Sequence, residues 1–179
     1  KDFAAEIAQE LRNWGIKGEK VGFYGGFDGF AIEALKNEGI NMVDGTWMMQ
    51  DARKIKTKEE ILCWKMAIAA ADAAWYAIFN AIKPGATDRE VSAAGAEAGY
   101  KAGSDMPPMA GFFSGPWSFQ RGVPATDRVI QYGDMIHGDL WGASFMGYNT
   151  CYYRSFIVGR KPTAKEKDWY QRVLNKQNA

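Results

Sequence analysis

Apolar residues recur every three or four positions from the start of the chain. Phe3, Ile7 and Leu11, joined by Ala4 and Trp14, form one helical stripe, and Gly15 stops it. "KVGFY" predicts a short strand, "FDGFAIEALKNEG" a helix closed by Gly39, and "INMV" a second strand. Helix, strand, helix, strand over residues 1–46 predicts the last units of a doubly wound α/β domain. "WMMQDARKIK" then links two regions, and the expected domains run over 1–50 and 51–179.

The second region is punctuated by Thr-x-x-Glu boxes at Thr57–Glu60, Thr87–Glu90 and Thr163–Glu166. In such a box the Thr hydroxyl accepts from a free N–H of the first turn, and the Glu reaches back to the N–H of the Thr. The first box opens a long helix. Ile61, Trp64, Ile68, Ala71, Trp75, Ile78 and Ile82 step by three or four and predict its buried face. Pro84 and Gly85 end it. About 26 residues at roughly 1.5 Å each give a rod near 39 Å, enough to cross a large sheet. The second box opens a helix through Tyr100, where Gly95 and Gly99 predict close packing against a neighbour.

From Pro107 to Val158 the periodicity changes to short apolar stretches between Gly and Pro, the pattern of β-structure with turns. "DRVIQYGD" predicts a strand entering a tight turn. "MIHGDLW" and "FMGYNTCYYRSFIVG" predict a hairpin with Gly142 near its bend. Alternation puts His137, Asp139 and Trp141 on one face of the first strand. On the second, Asn149, Cys151, Tyr153 and Ser155 share a face, opposite Tyr148, Thr150, Tyr152 and Arg154. The third box opens a final helix carrying Trp169, Tyr170, Val173 and Leu174 on one side, an apolar stripe that needs cover.

Composition narrows the function classes. Across 179 residues the net charge is +1 with no run of like charge, which indicates neither nucleic acid nor an acidic membrane surface as partner. No apolar run approaches the roughly 20 residues of a membrane helix. Cys63 and Cys151 lack paired spacing, which suits a reducing, cytoplasmic setting. Trp117, Phe119, Trp141 and Phe145 are candidates for a pocket lining or for core. The amphipathic start without a Met, and the uncovered final stripe, lead us to expect a piece of a larger protein.

Four segments carry a resemblance. "RKIKTKEEILCWKMAIAAADAAW", "IKPGATDREVSAAG", "FSGPWSFQRGVPATDRVIQYGDMIHGD" and "GYNTCYYRSFIVGRKPTAKEKDWY" follow the order and spacing of the pita-bread family, which comprises aminopeptidase P, prolidase, methionine aminopeptidase and creatinase. The resemblance implies an α+β fold: the N-terminal half of a pita-bread catalytic domain over 51–179, preceded over 1–50 by the tail of a creatinase-type α/β N-terminal domain. Methionine aminopeptidase lacks that domain and is the least similar relative.

Metal-dependent members of the family hold two divalent ions with two Asp, one His and two Glu. Hard ions want oxygen ligands, and a pair about 3.5–4 Å apart can bridge and deprotonate a water. By resemblance Asp139 occupies the place of the first Asp. The slot of the second, three residues before Arg154, holds Cys151, and the twelve-residue interval between them is similar to creatinase, which works without a metal. A His expected eight residues after Ser114 is replaced by Gly122, while His137 lies elsewhere. Of the family's remaining His and two Glu, none is found after Arg154, where Glu166 belongs to a helix cap. The chain is therefore expected to be inactive alone.

The resemblance implies a hydrolase cleaving a C–N bond (amide, amidine or Xaa-Pro peptide) in a small molecule or short peptide, with an altered or absent dinuclear site. The cofactor of the full-length parent is then either none or a divalent metal: Mn, Co, Zn or Fe. Three alternatives stay open: a metal-dependent Xaa-Pro aminopeptidase or dipeptidase, a lyase for a small sulfonium compound, and a non-catalytic binding protein. The resemblance also implies a homodimer.

Overall fold

The computed structural model describes residues 2–16, 18–26, 28–120 and 124–178. The chain divides by its contacts into two compact units, Lys1–Thr57 and Lys58–Ala179.

The first unit contains α1 (Asp2–Asn13), β1 (Lys20–Phe23), α2 (Gly29–Asn37), β2 (Asn41–Asp44) and α3 (Thr46–Lys54). β1 and β2 pair in parallel, Lys20 opposite Asn41 and Phe23 opposite Asp44. The core is Ala4, Ala8, Leu11, Leu35 and Ile40. The small residues at 4 and 8 let α1 approach closely, so Phe3 and Trp14 of the expected stripe stay exposed. Asp28 starts α2 by accepting from the Ala31 N–H at 2.7 Å. Asp44 accepts from the Thr46 N–H at 2.8 Å. The polar stretch read as a linker thus begins as the helix α3, which buries none of its residues.

The second unit contains α4 (Lys58–Ala81), α5 (Asp88–Lys101), β3 (Met109–Ser114), β4 (Met135–Phe145), β5 (Tyr148–Ile157) and α6 (Ala164–Gln177). The strands form an antiparallel sheet in the order β3-β4-β5. Its core joins Ala74, Trp75 and Ile78 of α4 to Val91 of α5 and to Phe112, Ile136 and Leu140 of the sheet.

α4 begins where the first box predicts, and its buried face keeps Ala71, Trp75 and Ile78 of the expected one but turns toward the alanines. Ala67, Ala70, Ala71, Ala74, Trp75 and Ile78 are buried, whereas Ile61 and Ile68 are 43% and 45% exposed. The alanine stripe wins because it allows the helix to sit close to the sheet. At Gly138 of β4 an added Cβ would lie 2.7 Å from the Trp75 ring. By length and composition alone, α4 is also long and apolar enough to cross a membrane. That differs from the sequence expectation, and the residues responsible include this sheet-facing stripe.

α5 carries the full reciprocal box at Thr87 and Glu90, and α6 the same at Thr163 and Glu166. Gly95 and Gly99 meet their neighbours as expected. A Cβ at Gly95 would fall 2.6 Å from the Ile78 side chain, and one at Gly99 would fall 2.5 Å from the Pro108 ring. Because a proline ring yields little, Gly99→Ala should lose more through overpacking than it gains in helix propensity. The expected net loss is about 1–2 kcal/mol, measurable as a lower urea midpoint. A midpoint at or above that of the parent chain would show that the 99/108 contact relaxes freely.

Two β expectations are corrected. β4 continues past Gly142, whose φ of +80° sits at a register shift between Trp141 and Ala143. The bend is Met146–Gly147, with φ of +50° and +80°, a two-residue loop of the kind that matches strand twist. The Asp105 carboxylate accepts from both loop N–H groups, at 3.2 and 3.0 Å. "DRVIQYGD" forms an isolated bridge, Val129 to Thr87, rather than a strand. Its backbone is spent on the α4–α5 connection: the Asp88 N–H donates to the Arg128 carbonyl at 3.0 Å, and the Ile130 N–H to the Ala86 carbonyl at 2.8 Å.

Candidate functional site

β4 is the central strand, and its alternation sorts its side chains. Ile136 and Leu140 enter the core on the helix side, where Gly138 also abuts Trp75. His137, Asp139 and Trp141 therefore lie on the opposite face. Asp139 is flanked by Gly111 on β3 and Tyr153 on β5, and Cys151 stands opposite Trp141, one diagonal step from Asp139. The Cys151 thiol donates to Asp139 Oδ1 with Sγ and Oδ1 3.7 Å apart. Both side chains thus leave neighbouring strands toward the same side of the sheet.

The two differ in burial. Asp139 is only 6% exposed, whereas Cys151 is exposed. The His137 ring stacks on Tyr153, with centroids 5.4 Å apart and planes at 22°. Of the aromatic candidates, Trp117 and Phe119 are 50% and 78% exposed, and Trp141 and Phe145 are half-buried. Gly122, the position expected to replace a His, lies outside the described residues.

The other face of β5 is tied to α4. The Tyr148 hydroxyl donates to Glu60 at 2.8 Å, Tyr152 to Asp72 at 2.6 Å, and the Trp64 indole N–H to the Asn149 carbonyl at 3.1 Å. Burial, then the Asp72 carboxylate, pushes the Tyr152 phenol up, so it remains a donor. These ties hold β5 against the helix from one side and leave Cys151 on the other.

Glu166 has no part in this arrangement. Arg160 grips it with two bonds of 2.8 Å, and the Thr163 N–H adds a third at 2.6 Å. Arg160 first, then the Thr163 N–H, hold its carboxyl at about 2.

A second cluster was not picked out from the sequence, although the Gly-Asp pair before β4 was its signal. Arg128 forks onto Asp134 at 2.6 and 3.1 Å and also donates to the Ser114 hydroxyl. It closes the excursion between the end of β3 and the start of β4. Burial pushes the Asp134 carboxyl up, but the Arg128 bond and the Gln131 N–H outweigh it and hold the group below its ordinary value. Nearby, the buried Asp88 carboxylate accepts from the Thr126 hydroxyl at 2.9 Å.

The donor set does not fit a pair of hard divalent ions. Such a pair needs carboxylates that can bridge, and a thiol stands where the hairpin's second carboxylate is expected. Among the described residues no group of three or more His, Cys, Asp and Glu side chains is placed to hold a metal.

Comparison with known proteins identifies the family. The model of metallopeptidase family M24 matches residues 63–179. The chain belongs to family M24. Its M24 segment starts inside α4 and includes the whole β4–β5 hairpin, so Asp139 and Cys151 both lie within it. A Xaa-Pro dipeptidase of Pyrococcus furiosus is 34% identical over 177 residues, which is 96% of this chain and 49% of that protein. The solved prolidase of Pyrococcus furiosus superposes with a TM-score of 0.82 at 29% identity, over 97% of this chain and 50% of that one. An X-Pro aminopeptidase of Thermotoga maritima shares the fold, with a TM-score of 0.83 at 21% identity over 99% of this chain and 50% of its own. The chain thus spans about half the length of the M24 relatives it matches.

Proposed function

We propose that residues 51–179 are the N-terminal half of an M24 catalytic domain, preceded by the tail of a creatinase-type N-terminal domain. The parent is a cytoplasmic hydrolase that cleaves a C–N bond in a short peptide or another small substrate. Its hairpin retains one acidic donor, Asp139, and carries Cys151 in place of the second. The observation that supports this reading is their shared sheet face, with the thiol 3.7 Å from the carboxylate. Here Asp139 presents a hydrogen-bond acceptor that is only 6% exposed, where it can hold a proton-donating group of the substrate. The chain alone does not turn over.

The relatives named Xaa-Pro dipeptidase and prolidase favour Xaa-Pro dipeptides as the first substrates to test. The full-length parent, stripped with a chelator, should release the amino acid ahead of proline slowly or not at all. Cys151→Asp should raise that rate with added manganese or cobalt by at least about tenfold, since it restores a hard bridging donor. A parent that cleaves no Xaa-Pro peptide and no amide or amidine, with or without metal and with either residue at 151, would end the hydrolase reading.

A further inference from the structure

We infer that Asp105 is a positioning residue for the face that carries Asp139 and Cys151. By clamping the tip of the β4–β5 hairpin it selects the register that keeps the bulge at Gly142. The proposal rests on the reading of this hairpin as the functional site, but not on which bond the parent cleaves.

The hairpin contains two registers. Below the bulge, Asp139 lies opposite Tyr153 and Trp141 opposite Cys151. Above it, Ala143 lies opposite Thr150, Ser144 opposite Asn149 and Phe145 opposite Tyr148. Opposed residues share a face, so Gly142 turns β4 over. Ala143 joins Leu140 in the core, where both are fully buried, and Ser144 goes to the side of Cys151.

The same residues have a second arrangement open to them. Without the bulge the lower register would run on, with Gly142 opposite Thr150 and Ala143 opposite Asn149. Phe145, Met146 and Gly147 would then form a three-residue loop. Such loops end on a left-handed residue, and Gly147 already has a φ of +80°. That arrangement would put Ser144 on the core face. It would also put the Ala143 methyl on the face of Cys151, one diagonal step from the thiol.

The choice between the two is made by residues 104 and 105. The Asp105 carboxylate accepts from the Met146 N–H at 3.2 Å and the Gly147 N–H at 3.0 Å. Its own N–H donates to the Ser144 carbonyl at 2.8 Å, and the Ser144 N–H donates to the Ser104 hydroxyl at 3.0 Å. Ser104 and Ser144 are each only 4% exposed, so water does not compete for that bond. Bonds to an ionised acceptor are stronger than neutral ones. Together the four bonds grip the two-residue loop and the residue that turns Ser144 outward, and the three-residue loop would break them. No atom lies within 4 Å of a Cβ built on Gly142. The bulge thus leaves room beside the Trp141–Cys151 pair, where a small group of the substrate can lie.

The test reads cross-strand proton contacts by NMR in the 179-residue chain. The unmodified chain should show Ala143 against Thr150. In Asp105→Ala that contact should be lost and Gly142 should appear against Thr150, while Trp141 stays against Cys151. Deleting Gly142 makes the upper and lower registers continuous, so Asp105→Ala combined with that deletion should recover Ala143 against Thr150. If Asp105→Ala alone shows neither pairing, the double variant decides: recovery supports the register role. The proposal is overturned if Asp105→Ala keeps Ala143 against Thr150, since the clamp would then add stability alone. It is equally overturned if the double variant lacks the tip pairing or fails to fold. None of these readouts involves turnover, so failure of the hydrolase assay leaves them untouched.

Discussion

Trp75→Ala should remove about 3–5 kcal/mol of stability, the range for truncating a large buried aromatic side chain. Trp75 joins α4 to the sheet. Its ring abuts Gly138 and lies 6.0 Å, centroid to centroid, from both Tyr152 and Phe156. Nothing nearby is free to refill that volume, because Phe112 and Leu140 on the same core face are themselves fully buried. Trp75→Phe separates volume from polarity. Among the described residues the indole N–H has no acceptor, although it is buried. Phenylalanine keeps much of the ring and discards an unsatisfied donor, so its loss should stay below about 1.5 kcal/mol. Urea unfolding of the two variants decides it. Equal losses would mean that the N–H has a partner and that ring volume is not what holds α4 down.

Arg128→Met should cost about 3 kcal/mol at neutral pH, chiefly by stranding a carboxylate. The side chains of Arg128 and Asp134 are only 20% and 12% exposed. Asp134 is held below its ordinary value in the folded state. A depressed carboxylate contributes stability that is present above the unfolded value, about 3.9 for Asp, and is lost as pH falls below it. The parent chain should therefore weaken on acidification through that window. Arg128→Met should weaken less, since its lone Asp134 gains from taking up a proton. The gap between the two chains, read by urea unfolding at pH 7 and pH 3, should narrow at the lower pH. A gap that is constant with pH would mean that Arg128 acts through packing alone.

Much of this was legible in the sequence, and the reasons for the rest are local. The boxes at Thr87 and Thr163 depend on contacts three residues apart, so a short window contains the whole interaction. The glycine pair at 95 and 99 was equally readable, since glycines one turn apart on a helix mark a face that a neighbour approaches closely. The buried face of α4 was readable only at Ala71, Trp75 and Ile78, because Ile61, Ile68 and the alanines form competing stripes. What decides between them is a glycine at 138, far along the chain. The hairpin bend was misplaced for a similar reason. Gly142 and Gly147 both offer left-handed backbone, and only the pairing register distinguishes bulge from turn. At the site, strand alternation grouped Asp139 with His137 and Trp141, and Cys151 with Asn149, Tyr153 and Ser155, but which groups share a face follows from the register across the true bend. The 3.7 Å between Asp139 and Cys151 depends on a diagonal step across two strands that no spacing encodes. The Arg128–Asp134 fork was missed because each residue taken alone resembles an ordinary loop charge.

The ties between β5 and α4 bear on the order in which the second unit assembles. Their partners are 88, 85 and 80 positions apart in sequence. Chords of that length demand a large closure entropy before any of them forms, whereas α4 and α5 are neighbours along the chain. The helical pair can collapse early around Ile78 and Gly95, and β5 is left to arrive late. Until it does, β4 has an unsatisfied edge on the side of the thiol-bearing strand, and crowding at that stage invites other chains to pair with it.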